Sequence, residues 1–134
     1  MFGFGSNPAK AYGNVGVETG VSQADPHKLI LMLFDGALLS VSSAQIHMQK
    51  GNVAEKCHSI SKAMEIITMG LKVSLDPEAG GDLAEKLGAL YDYMCSRLVW
   101  ANAHNNEAAL VEVHGLLTEL RGAWAEIRPQ VVGR

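Results

Sequence analysis

Glu55-Lys56-Cys57-His58 sets a carboxylate and an imidazole three residues apart, the spacing at which two side chains on one helix face can share a metal ion. A di-metal carboxylate centre in a helical bundle needs a second such motif and a Glu from each of two other helices, and neither is present in the sequence. On a helical wheel Glu55 and His58 fall on the polar side, so a solvated face is expected. His27, His47, His104 and His114 offer no His-x-x-x-His pair and read as surface residues. Asp35 and Asp92 stand inside apolar segments, where a buried carboxyl would have a raised pKa. Both lie opposite the core on the wheel, and solvated or capping roles are expected. Gly80-Gly81 lacks the further glycine and the preceding strand of a phosphate-binding loop. Cys57 and Cys95 have no CxxC or His partner at ligand spacing and are expected as reduced core thiols. No Ser or Cys has a base close to it in sequence. The expectation is a non-enzyme with no metal, no cofactor and no small-molecule substrate.

The elements that would position these residues follow from length, punctuation and period. A chain of 134 residues makes one domain with room for a sizeable core. Its net charge of −3, with acids and bases interleaved, gives no footprint for nucleic acid. The longest apolar run, Leu29 to Phe34, is far shorter than the roughly 20 residues of a membrane span. The start, Met-Phe-Gly-Phe-Gly-Ser, lacks the basic and apolar regions of a signal peptide. A cytoplasmic protein without membrane insertion is expected.

Gly3, Gly5, Pro8, Gly13, Gly16 and Gly20 mark residues 1–24 as a flexible N-terminal arm. Asp25 as N-cap and Pro26 at the first helical position open helix one, which runs to Lys50 with Gly51 as its stop. Asn52, with Glu55 three residues on, opens helix two, which runs through Leu75 to the break at Asp76-Pro77 and Gly80-Gly81. Helix three begins near Asp82 and ends near Ala103, and Asn106 caps helix four, which stops near Ile127 before Pro129. Connections this short force neighbours to be antiparallel. The expected fold is all-α: an antiparallel up-down-up-down four-helix bundle over 25–128, with a mobile N-terminal arm and a short tail at 129–134.

Steps of 100° separate core from surplus. Helix one commits Ile30, Leu33, Phe34, Ala37, Val41, Ala44 and Met48 to the core, leaving Leu31 and Leu38 on one flank and Met32, Leu39 and Ile46 on the other. Helix two commits Val53, Cys57, Ile60, Met64, Ile67, Leu71 and Leu75, with Ile66, Met69 and Val73 opposite. Helix three commits Leu83, Leu87, Leu90, Tyr91, Met94, Leu98 and Ala101, with Tyr93 and Trp100 together on a flank. Helix four makes one stripe, Leu110, Val113, Leu117, Leu120, Trp124 and Ile127, with little left over. The surplus either widens the core or forms a groove for an apolar helix or for the chain's own arm. A self-associating structural bundle and a small metal-binding or enzymatic bundle are the alternative functional classes.

An ordered series of short motifs runs through the chain: Ala11-Tyr12, Asp25-Pro26-His27-Lys28-Leu29-Ile30, Met32-Leu33-Phe34-Asp35-Gly36, Lys62-Ala63 and Leu75-Asp76. Gly80-Gly81, Leu90-Tyr91-Asp92-Tyr93-Met94, Arg97-Leu98, Ala101-Asn102, Glu112-Val113, Leu116-Leu117 and Ala123-Trp124 continue it. In this order and spacing the set resembles the FliS family of flagellin export chaperones from Lys10 to Trp124. The resemblance implies a cytoplasmic chaperone that binds the disordered C-terminal region of flagellin, prevents premature polymerisation and assists delivery to the flagellar type III export gate. It also implies an arm, here Tyr12, that covers the groove in the free protein and contributes to contact with the gate. With the surplus stripes, the candidate partner-binding residues are Tyr12, Leu31, Met32, Leu38, Ile66, Met69, Val73, Tyr93 and Trp100.

Overall fold

The computed structural model describes residues 25–127. Four α-helices follow one another: α1 (Pro26–Lys50), α2 (Val53–Ile66), α3 (Pro77–His104) and α4 (Glu107–Ala125), with a π-helical segment, Ile67–Lys72, continuing α2. Among the described residues there is no strand.

The helix ends follow the local chemistry. Asp25 accepts from the Lys28 N–H at 2.8 Å and Pro26 fills the first helical position, where its missing N–H costs nothing. Gly51, in the left-handed region at φ 76°, closes α1. Asp76 accepts from the N–H groups of Glu78 and Ala79, and Asn106 from that of Ala109. Asn52 sits at the expected cap position of α2 but forms no side-chain cap bond. Inside α3, Gly81 leaves the helical region at φ 52°, ψ −129°, so a kink separates the turn at Pro77 from the helix that follows. The expected start near Asp82 coincides with that kink.

Cross-contacts give the directions. Ser43 and Ser59 hydroxyls meet at 3.1 Å and Leu33 lies over Gly70, so α2 with its π segment returns along α1. Arg121 reaches Asp35, and Gln49 reaches Glu107, so α4 does the same on the other flank. Lys56 meets Asn102 and Lys72 meets Asp92, which sets α3 against α2 in the same sense. α1 packs most extensively on α2, then on α4. It is long enough, and apolar enough over its middle, to cross a membrane by length and composition alone, a property the six-residue run did not reveal. In the bundle, Leu33, Phe34, Ala37, Val41, Ala44 and Met48 are all buried.

Helix two corrects the wheel. Ile66, expected on the outer face, is 2 % exposed and belongs to the core. Small residues explain part of this: Ser59 and Ala63 lie on the buried face of α2, and a wheel weighted by hydrophobicity centres the stripe away from them. The π segment explains the rest, because its wider hydrogen-bonded turns break the 3.6-residue rhythm and bury the consecutive pairs Ile66-Ile67 and Gly70-Leu71. Val53, placed in the core stripe, is exposed at the first residue of α2, and Leu83 and Ile127 are exposed near helix ends. His27, expected on the surface, is 2 % exposed. Lys56 is also buried, its ammonium donating to the Asn102 carbonyl at 3.2 Å and to Asn105 Oδ1 at 3.0 Å. It thereby caps the C-terminal end of α3, where a cation is favoured.

Candidate functional site

The four apolar stripes converge at one end of the bundle without closing it. Ile30 and Phe34 from α1, Leu71 from the π segment with Leu75 just past it, Leu83, Leu87 and Tyr91 from α3, and Leu120, Ala123 and Trp124 from α4 with Ile127 just past its end line an open groove of about 290 Å³. Ser74 is the remaining lining residue, and its hydroxyl is already committed to the Gly70 carbonyl at 2.6 Å. Among the described residues no charged side chain lines this space. Burial pushes the Tyr91 phenol up to about 12, which keeps it neutral. Such a surface can take apolar side chains.

Sequence reasoning missed the groove because it assigned these same residues to a filled core. A usable signal was present: large aliphatic stripe positions at the matching ends of all four helices.

A second surface runs along α3. Tyr93 donates its hydroxyl to Glu112 of α4, and Arg97 Nε donates to the other oxygen of the same carboxylate at 2.8 Å. Those two hydrogen bonds hold the Glu112 carboxyl below its usual range, and the bond to Glu112 holds the Tyr93 phenol above its own. One helical turn beyond Arg97, the Trp100 indole stacks on the His104 ring with centroids 3.7 Å apart. Tyr93 and Trp100 are each 44 % exposed, so the strip offers aromatic surface to solvent, with the Tyr93 hydroxyl paired to Glu112.

The other expected surface residues scatter. Leu31 and Leu38 lie on the flank of α1 that Asp35 shares with α4, both half-buried, and Leu38 packs against the core. For these two the wide-core reading accounts for much of the surplus. Met32 and Met69 are half-buried, and Val73 is exposed. Tyr12 lies outside the described residues. The candidates therefore form several faces and not one patch.

Nothing assembles around the residues first considered for chemistry. Glu55 and His58 are exposed, and among the described residues no group of three or more His, Cys, Asp or Glu could hold a metal. Asp35 pairs with Arg121 and Asp92 with Lys72, both at 2.6 Å on the surface, where such pairs stabilise by about 0–1 kcal/mol. Cys57 and Cys95 are half-buried where full burial was expected. Cys57 donates to Asn102 Oδ1 at 3.3 Å, and burial, with Asp92 nearby, pushes the Cys95 thiol up.

Residues 8–131 match the family described as "Flagellar protein FliS". Among similar proteins, the "Flagellar secretion chaperone FliS" of Salmonella typhimurium is 47 % identical over 121 residues, covering 90 % of each chain. That of Escherichia coli is 42 % identical over 123 residues, covering 92 % of this chain and 90 % of its own. The Bacillus subtilis protein of the same name is 36 % identical over 120 residues, covering 90 % of this chain and 85 % of its own.

Proposed function

The chain belongs to the FliS family of flagellar proteins, and from that membership we propose that it is a cytoplasmic secretion chaperone whose cargo is the disordered C-terminal region of flagellin. Covered by the bundle, that region cannot polymerise early, and the complex assists its delivery to the flagellar type III export gate. The observation that carries this reading is the open groove, apolar on every side and fed by all four helices. An amphipathic piece of a disordered tail can lay its apolar face there and remain unfolded elsewhere, as export requires.

Energetics favour a cargo that wraps. Each large apolar side chain that is buried contributes about 1.5–3 kcal/mol. Association costs about 4–15 kcal/mol in lost translational and rotational freedom, before any ordering of the tail. One groove of about 290 Å³ holds too few side chains to meet that cost, so further anchors are needed on other faces. Met32, Met69, Val73, Tyr93 and Trp100 supply them, with Leu31 and Leu38 contributing their half-exposed edges.

Calorimetric titration of this chain with full-length flagellin and with flagellin lacking its C-terminal segment tests the assignment. Full-length flagellin should bind with a large negative ΔCp, the mark of apolar burial and coupled ordering, and the truncated form should give no heat. Equal heats from both would sink the proposal.

A further inference from the structure

Two motif pieces quoted separately in the sequence, Asp25-Pro26-His27 and Ala123-Trp124, meet in space at the rim of the groove. His27, in the first turn of α1, and Trp124, in the last turn of α4, are tied by two hydrogen bonds running in opposite directions. His27 Nε2 lies 2.8 Å from the Trp124 carbonyl, and Trp124 Nε1 donates to the His27 carbonyl at 2.9 Å. A carbonyl only accepts, so Nε2 must carry the proton. The two rings are stacked, with centroids 4.9 Å apart and planes 15° apart. His27 is buried, whereas Trp124 is partly exposed and forms part of the groove wall.

We propose that His27 is a positioning residue for partner binding: by gripping Trp124 from behind, it fixes the indole as a wall of the apolar groove and sets how that groove receives a side chain. The residue type fits the task. A flat ring is needed to stack on the indole, and an N–H at its far edge is needed to reach a carbonyl in the last turn of α4. Those last carbonyls lack helical partners: the Trp124 oxygen receives, besides His27, the Ile127 N–H at 3.2 Å. The latch thus also ties down the turn that carries Ala123, Trp124 and Ile127, three of the lining residues. Besides it, the end of α4 is held by Leu120 and Trp124 packing at the edge of the core and, one turn earlier, by the surface pair of Arg121 with Asp35. The inference rests on the groove being the cargo site, as proposed above.

Trp100 and Trp124 are the two tryptophans of the chain, so Trp100→Phe makes Trp124 the sole reporter. In that background His27→Leu should red-shift Trp124 emission, increase its quenching by acrylamide and speed amide exchange over 120–127. With Trp100 intact, His27→Leu should weaken binding of the flagellin C-terminal peptide by about tenfold or more. His27→Gln, which keeps an N–H at the reach of Nε2 but not the stacking ring, should recover part of that affinity. Val41→Ala, a core change at a fully buried position outside the groove lining, serves as the control, since it should lower the melting temperature with Trp124 emission and affinity unchanged. Unchanged Trp124 emission in His27→Leu, or an affinity loss matched by Val41→Ala, would overturn the latch. A wild-type chain that ignores the flagellin peptide, while His27→Leu still alters Trp124 emission and binding of the apolar dye anilinonaphthalene sulfonate, would remove the flagellin reading and leave the latch in place.

Discussion

Ile66 and Trp100 stand for the two fates of surplus apolar residues. On the wheel both face away from the core, yet Ile66 is sealed inside the bundle and Trp100 is 44 % exposed. An aspartate therefore does opposite things at the two positions. Ile66→Asp places a carboxylate where no partner awaits it, and with the lost packing it should cost more than the about 2–5 kcal/mol of an Ile-to-Ala change. Circular dichroism should find that variant unfolded or molten. Trp100→Asp changes a solvent-facing ring stacked on His104, so its helical signal should match the parent while affinity for the flagellin segment falls. A folded Ile66→Asp, or a Trp100→Asp with full affinity, would show that the faces had been assigned the wrong way round. Legibility in the sequence also divides by residue. Tyr93 and Trp100 were readable because regular α-helix turns period into direction. Ile66 was not, because a π segment has no sequence mark that separates it from α-helix, and His27 was not, because its partner lies 97 positions away.

Among elements, the helix boundaries at Asp25, Gly51 and Asn106 were the most legible feature, since these residues act through chemistry that is local in sequence. Asp76, read only as part of a break, caps the turn ahead of the expected start near Asp82. The failures lie where an element depends on a neighbour. Lys56 looks like any surface lysine until α3 ends beside it and offers its last carbonyls. Glycine gives a test at this scale, because its cost in a helix is intrinsic while its use is tertiary. Gly115 and Gly122 sit within α4 with nothing in the space a Cβ would fill, whereas a Cβ on Gly70 would come 3.0 Å from Leu33 Cδ2. Gly115→Ala and Gly122→Ala should each raise stability by about 0.5–1 kcal/mol, read as a higher urea midpoint with an unchanged slope. Gly70→Ala should gain less or lose, because Leu33 must move to admit the methyl. A loss of stability at Gly115 or Gly122 would mean that the outer face of α4 is covered by part of the chain.

For the molecule as a whole, the open question is what covers its apolar surfaces when no cargo is bound. The groove, the strip at Tyr93 and Trp100, and outward residues such as Leu39, 72 % exposed, leave more than one face unfinished. Scattered single apolar residues are ordinary on a protein surface, but a concave groove lined by apolar residues is the kind of surface that marks an interaction site. The chain's own arm, a second copy of the chain or a cargo segment would satisfy it, and they differ in how they respond to competition. A permanent dimer would bury the groove in an interface that cargo cannot open. A chaperone must instead keep the groove available, with any self-contact weak enough for the flagellin segment to displace it. Light scattering over a concentration series should therefore give a mass that is monomeric, or that drops to one chain plus one cargo peptide once the flagellin segment is added. A dimer that persists in saturating cargo would place the groove in a structural interface and remove the chaperone reading at the scale where it has to work.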